Sequence, residues 1–254
     1  MLGRGTVYKG RTHTSTGVGA VEPMAGKSNV KQSVLDTSGI ESTDLFAPLP
    51  PEVLEALREH ATVRSLSRNE VLFHEGDVSD ALYVIREGRI AIATHSSDGR
   101  ETVLAVLEDG GLFGELPLFD DAPRNADARA LTDTQVIELS YAPVRAVLKE
   151  RPELLWVIVQ LLVQRLRATD TALSDAVFLD VPARTAKRLL DLAGDDARFT
   201  LPVTQEELAA MVGASRERVN KAISLFVKLG WLEIEGRSNY RILDRQSLED
   251  RARL

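Results

Sequence analysis

Four polar residues stand close together in the last third of this 254-residue chain: Arg216, Glu217, Asn220 and Lys221. At helical spacing they share one face. An arginine can donate two bonds to guanine O6 and N7, and a glutamate can accept from cytosine N4, so the set suits the reading of base edges in a DNA major groove. A solvated, charged helix face has the same composition. Position separates the two readings. These residues open a helix, and groove-reading helices contact bases with their N-terminal residues.

The residues that would hold this helix in place are specific. Thr204 with Glu207 spells a capping box that starts one helix. Gly213 supplies a turn conformation that side chains resist, and Ser215 caps a second helix. Leu208, Val212, Val219 and Ile223 fall at inward spacing, while Ala209 and Ala210 let the helices cross closely. The pattern predicts a helix-turn-helix of the major-groove type. Residues 231–242 read as a β-hairpin whose tip, with Arg237 and Arg241, can reach phosphate, which makes the motif winged. Thr204, Ser215, Arg216, Glu217, Asn220, Lys221 and Arg237 are the expected DNA-contacting set.

Upstream, short β-runs from Val63 to Leu139 are punctuated by glycine turns about 11–12 residues apart, the spacing of an antiparallel sandwich, barrel or roll. Ala81, Tyr83 and Ile85 alternate with Leu82 and Val84, so that strand is apolar on both faces and is expected to be central. A helix over 52–60 should precede these runs and one over 142–148 should follow them. A long helix from about Pro152 to Val177 carries Leu155, Val159, Leu162, Leu166, Thr169, Leu173 and Ala176 in 4-3 heptad spacing, the mark of a coiled-coil dimer. Val157, Ile158 and Leu161 supply a second face for packing within the chain. The heptad breaks at Phe178-Leu179-Asp180-Val181-Pro182, where Asp180 can cap a new helix that reaches about Ala193.

Four segments follow: an unstructured arm over 1–44, a β-roll over 45–150, a dimerisation helix and hinge over 151–180, and a winged helix-turn-helix over 181–254. The arm is rich in Gly, Ser and Thr, and Met24 within it is an alternative start. Net charge is −7, yet residues 182–254 carry 13 Lys/Arg against 11 Asp/Glu, so the sign changes at the hinge. The absence of cysteine excludes disulfides, thiolate-held iron–sulfur clusters and a cysteine nucleophile. Four histidines without close pairing argue against metal and haem. No apolar run nears the roughly 20 residues of a membrane span, so a cytoplasmic protein without membrane contact is expected. Once roll, helix and helix-turn-helix are placed, no residues remain for a catalytic domain, which argues against an enzyme. A pure nucleotide-binding regulatory subunit would not need the helix-turn-helix.

The order of these parts resembles the cyclic AMP receptor protein/FNR superfamily of transcription regulators, most of all the receptor proteins of actinobacteria. The resemblance rests on Phe113-Gly114-Glu115-Leu116-Pro117-Leu118-Phe119 with Pro123-Arg124-Asn125-Ala126, on Arg165-Leu166-Arg167-Ala168-Thr169, on the hinge 178–182, and on residues 212–221. It implies an α+β fold with a jelly-roll-like cyclic-nucleotide domain. It also implies a homodimer closed by Leu155, Val159, Leu162, Leu166 and Leu173, a pseudo-palindromic duplex DNA site, and RNA polymerase as a partner. The first stretch is similar to the family's phosphate-binding cassette. Gly114 would let backbone N–H groups approach the cyclic phosphate, near the start of a short helix around Glu115 and Leu116. Arg124 would clamp the phosphate, with Asn125 donating where the family usually has Ser or Thr. Glu115 would accept from the ribose 2′-hydroxyl. Thr169, and Asp170 of the partner helix, would reach the base. Asp170 replaces the usual Ser or Asn; a carboxylate can accept from the adenine amine and repels guanine O6. The implied effector is cyclic AMP. A regulator of the same type that answers another effector, or none, is the alternative.

Overall fold

A computed structural model describes residues 39–97, 99, 101–236 and 238–253. The expected arm lies mostly outside these residues, and so does Arg237. Packing begins earlier than residue 45. Ile40–Ser42 form a 3-10 turn in which Ile40 is fully buried, and Thr43 is buried beside it. The 1–44 boundary is therefore too long, because isolated Ile40 in a polar stretch gives no periodic signal.

Among the described residues the roll has eight strands: β1 (Ala61–Leu66), β2 (Val71–Phe73), β3 (Ala81–Glu87), β4 (Ile90–His95), β5 (Glu101–Leu107), β6 (Leu112–Phe113), β7 (Asp127–Ala130) and β8 (Thr134–Ser140). They pair antiparallel in two sheets, ordered β1-β8-β3-β6 and β2-β7-β4-β5. Strand β3 lies inside its sheet. Its Ala81, Tyr83 and Ile85 pack toward the second sheet with Ile90, Phe113 and Ala128. Its Leu82 and Val84 pack outward under three helices, α1 (Pro51–Arg58), α3 (Tyr141–Glu150) and the first turns of α4 (Leu154–Phe178). Burial on both sides is why this strand carries no polar alternation.

Helix α2 is a single turn, Pro117–Asp120, that begins after Leu116 rather than at Glu115. Helix α4 runs for 25 residues. Ile158 is buried against the roll, and Val157, Leu161 and Leu162 pack beside it. The remaining heptad positions Leu155, Val159, Leu166 and Leu173 are exposed, Leu166 at 60% and Leu173 at 64%.

Asp180 starts α5 (Val181–Ala193) by accepting from the Ala183 N–H at 2.9 Å. Then come β9 (Arg198–Thr200), α6 (Gln205–Val212), α7 (Arg216–Lys228), β10 (Leu232–Ile234), β11 (Asn239–Ile242) and α8 (Arg245–Arg251). The three strands form a sheet ordered β10-β11-β9. Both carboxylate oxygens of Asp180 also accept from Arg251 of α8 at 2.6 Å, so the last helix is tied to the hinge. The core of this part is continuous with Ala91, Ala93, Val103 and Leu131 of the roll. An ion pair between Arg129 and Glu207, 3.6 Å apart, crosses the same boundary.

Candidate functional site

A cavity of about 580 Å³ opens between the roll, α4 and the turn after α6. Gly114, Glu115, Leu116, Arg124, Asn125 and Thr169 all line it. Six of the seven residues expected to hold a nucleotide thus meet at one cavity within a single chain. The seventh, Asp170, is exposed on α4 and does not line it.

Arg124 is the centre of the arrangement. It is 4% exposed, and it pairs with no carboxylate among the described residues. Its Nη1 donates to the Gly114 carbonyl at 2.6 Å and to the Tyr141 hydroxyl at 3.2 Å. Its Nη2 donates to the Ala81 carbonyl at 2.7 Å. Tyr141 in turn donates to the Gly114 carbonyl at 2.6 Å, and burial raises the hydroxyl's pKa, so it keeps the proton it donates. Nε–H of Arg124 is buried without a partner. A buried cation with an open donor and no counter-charge is costly, and an anion that enters the cavity would relieve that cost.

Gly114 explains how the guanidinium comes so close. Its φ is +73°, and a Cβ there would stand 2.5 Å from Arg124 Nη1. The glycine therefore makes room for the guanidinium.

Glu115 does not pair with Arg124. It is 2% exposed in its side chain and accepts from Arg165 of α4, which also donates to the Leu112 carbonyl. Its Oε2 is buried and unpartnered, an acceptor left over for a hydroxyl. The cavity thus has one residue with an unpartnered donor, Arg124, and one with an unpartnered acceptor, Glu115, in its lining. Thr169 bonds back to the Arg165 carbonyl at 2.9 Å. Arg165, Tyr141 and Phe73 are site residues that sequence reading missed. Arg165 had a signal, since it lies one helical turn before Thr169.

The second surface is α7. Ser215 caps it by accepting from the Arg218 N–H at 3.4 Å. Arg216, Glu217 and Lys221 are exposed and Asn220 is half-buried, while Val219, Ala222, Ile223 and Phe226 turn inward. Lys221 pairs with Glu217 at 2.7 Å and lowers its pKa. Thr204 and Glu207 complete the capping box of α6, Glu207 accepting from the Thr204 N–H at 2.6 Å. Gly213 has φ +68° at the turn between α6 and α7. The expected wing exists as β10 and β11, with β9 as an unexpected third strand whose Phe199 stacks on Tyr240 at 5.6 Å. Its tip residue Arg237 lies outside the described residues.

Among the described residues, no helix is long and apolar enough to cross a membrane, and no group of acids and histidines is arranged to hold a metal ion.

Known proteins carry the same two parts. The cyclic nucleotide-binding domain family matches residues 63–151, and the Crp-like helix-turn-helix domain family matches residues 183–251. Over 216 residues the chain is 38% identical to the CRP-like cAMP-activated global transcriptional regulator of Mycobacterium tuberculosis, covering 82% of this chain and 96% of that one. It is 31% identical over 195 residues to the cAMP-activated global transcriptional regulator Vfr of Pseudomonas aeruginosa, covering 73% and 91%. The solved structure of the c-di-GMP responsive global regulator CLP of Xanthomonas campestris superposes with a TM-score of 0.67 at 27% identity, over 76% of this chain and 99% of that one.

Proposed function

The chain belongs to the CRP/FNR superfamily of transcription regulators, and from that premise we propose that it is a cytoplasmic, cyclic AMP-responsive homodimer that binds a pseudo-palindromic DNA site. The observation that carries the effector is the pair Arg124 and Glu115: both residues line the cavity, Arg124 has no carboxylate partner among the described residues, and each keeps one buried polar atom, Nε–H and Oε2, without a hydrogen bond. A cyclic nucleotide supplies what those atoms lack: a phosphate anion for Arg124 and a ribose hydroxyl for Glu115. Arg165 holds the Glu115 carboxylate in place from α4, and Thr169 lies one turn further along that helix. Occupancy therefore bears on α4, which leads directly into the Asp180 hinge. Coupling of this kind is typically about 1–3 kcal/mol. Asp170 belongs on the partner-facing side of α4 in this reading, and RNA polymerase is the partner of the DNA-bound form.

Calorimetric titration tests the effector. Cyclic AMP should bind with one site per chain, and more tightly than cyclic GMP. Saturation by cyclic di-GMP instead would favour a second reading, which the likeness to the c-di-GMP responsive regulator supports. Binding of no nucleotide would leave a DNA-binding regulator with a different input.

The dimer rests on the exposed leucine stripe of α4. Leu166 is 60% exposed in the single chain, so glutamate there costs the fold little. In a dimer the same carboxylate would be buried without a partner. Leu166→Glu should sediment as a monomer with its helical content retained. A folded Leu166→Glu dimer would refute this interface.

A further inference from the structure

Arg124 meets an aromatic surface as well as carbonyls. Its Cζ lies 4.0 Å from the centroid of the Phe73 ring and 5.5 Å from that of Tyr83. Phe73 stacks on Tyr83 at 5.8 Å and leans on Phe113 at 6.1 Å, and Tyr83 stacks on Phe113 at 5.4 Å, so the surface is fixed by three mutually packed rings. Phe73 ends β2, in the sheet opposite the one that carries the Gly114 and Ala81 carbonyls. The loop that follows it grips the Arg124 backbone: Gly76 N–H donates to the Arg124 carbonyl at 2.8 Å, and Arg124 N–H donates to the Asp77 carbonyl at 2.9 Å.

We propose that Phe73 is a positioning residue for the nucleotide phosphate, acting by giving the Arg124 guanidinium a π-face to lie on. This rests on the cyclic-nucleotide reading above and extends it to a residue outside the cassette. A guanidinium is planar and donates in its plane. A carboxylate counter-ion would occupy an in-plane edge, the edge a phosphate needs. A ring instead covers the face, offsets the charge of the cation, and leaves Nε–H without a competing partner. Aromatic compensation thus keeps Arg124 both buried and available. Phe73 also lines the cavity.

A double-mutant cycle on the full chain reads this out, with cyclic AMP affinity measured by calorimetry. Phe73→Leu keeps an apolar side chain and removes the π-face. It should weaken binding about 2- to 30-fold, the range of a desolvated cation–π contact. Phe73→Tyr should bind within about twofold of wild type, since a tyrosine ring also accepts a cation on its face. In an Arg124→Leu background, Phe73→Leu should change affinity no further, because the cation it acts through is gone. A residue that merely filled the core would weaken both backgrounds alike. Phe73→Met replaces Phe73→Leu if the latter does not fold. The proposal is overturned if Phe73→Leu binds as wild type, if its loss persists without Arg124, or if Phe73→Tyr fails to restore affinity. A wild-type chain that binds no cyclic nucleotide overturns the cyclic-nucleotide reading, and this proposal with it.

Discussion

Arg216→Ala should cost about 1–3 kcal/mol for each recognition helix bound, roughly 5- to 150-fold per half-site, and should relax preference at one base pair. A symmetric dimer carries the change twice, which makes this the largest effect expected of any single substitution. Arg216 is the first residue of α7, immediately after its Ser215 cap, and its side chain is exposed. Its neighbour Glu217 is steadied by Lys221 at 2.7 Å, which leaves the carboxylate's second oxygen for a cytosine amine. The net charge of +2 over residues 182–254 gives only modest attraction to any duplex, so base contacts and DNA bending must supply most of the discrimination. Selection from random duplexes, with and without cyclic AMP, measures this directly. Wild type should enrich a two-fold symmetric site with half-sites about one helical turn apart. Arg216→Ala should enrich the same site with one position in each half degenerate. Enrichment of no symmetric site by wild type would sink the DNA reading as stated.

Arg124→Leu should weaken cyclic AMP binding about 30- to 150-fold, equivalent to roughly 2–3 kcal/mol for loss of a charged hydrogen-bonded clamp. The substitution can be read as a binding effect because the fold does not depend on Arg124 alone. The Gly114 carbonyl keeps the Tyr141 hydroxyl as donor, and the Ala81 carbonyl keeps the Ser79 hydroxyl at 3.2 Å. Removal of a buried cation that no carboxylate balances also lifts a desolvation penalty. The ligand-free variant should therefore melt no lower than wild type, apart from the cost of the smaller side chain. Equal affinity in wild type and Arg124→Leu would remove Arg124 from the site.

The DNA-reading half was largely legible in the sequence because its signals are local. A capping box spans four residues, a helix cap spans four, and a turn glycine needs only itself; all three stand where the spacing puts them. Strands β6, β7 and β9 were not legible, since two to four residues do not establish a period of two. The site contacts that matter most are long-range. Glu115 meets Arg165 across 50 positions, and Asp180 meets Arg251 across 71. Local patterning carries no record of such pairs. Opposite charge and nearness in the chain alone would pair Arg124 with Glu115. Folding instead gives Glu115 to the long helix and leaves Arg124 to carbonyls and a ring.

The faces of α7 divide the work of that helix in a way that bears on how such regulators diversify. Val219, Ala222, Ile223 and Phe226 hold it in the core, whereas Arg216, Glu217 and Lys221 touch no other element through an ion pair among the described residues. Substitution at an exposed position away from caps and packing changes stability by only about 0.5 kcal/mol. If these residues read the DNA site as proposed, the set of promoters under control can therefore drift, residue by residue, at almost no cost to folding. The cavity has no such freedom, since Gly114, Glu115 and Arg124 are each buried or closely packed parts of the roll. A lineage built on this scaffold can inherit one signal and redirect it to new genes.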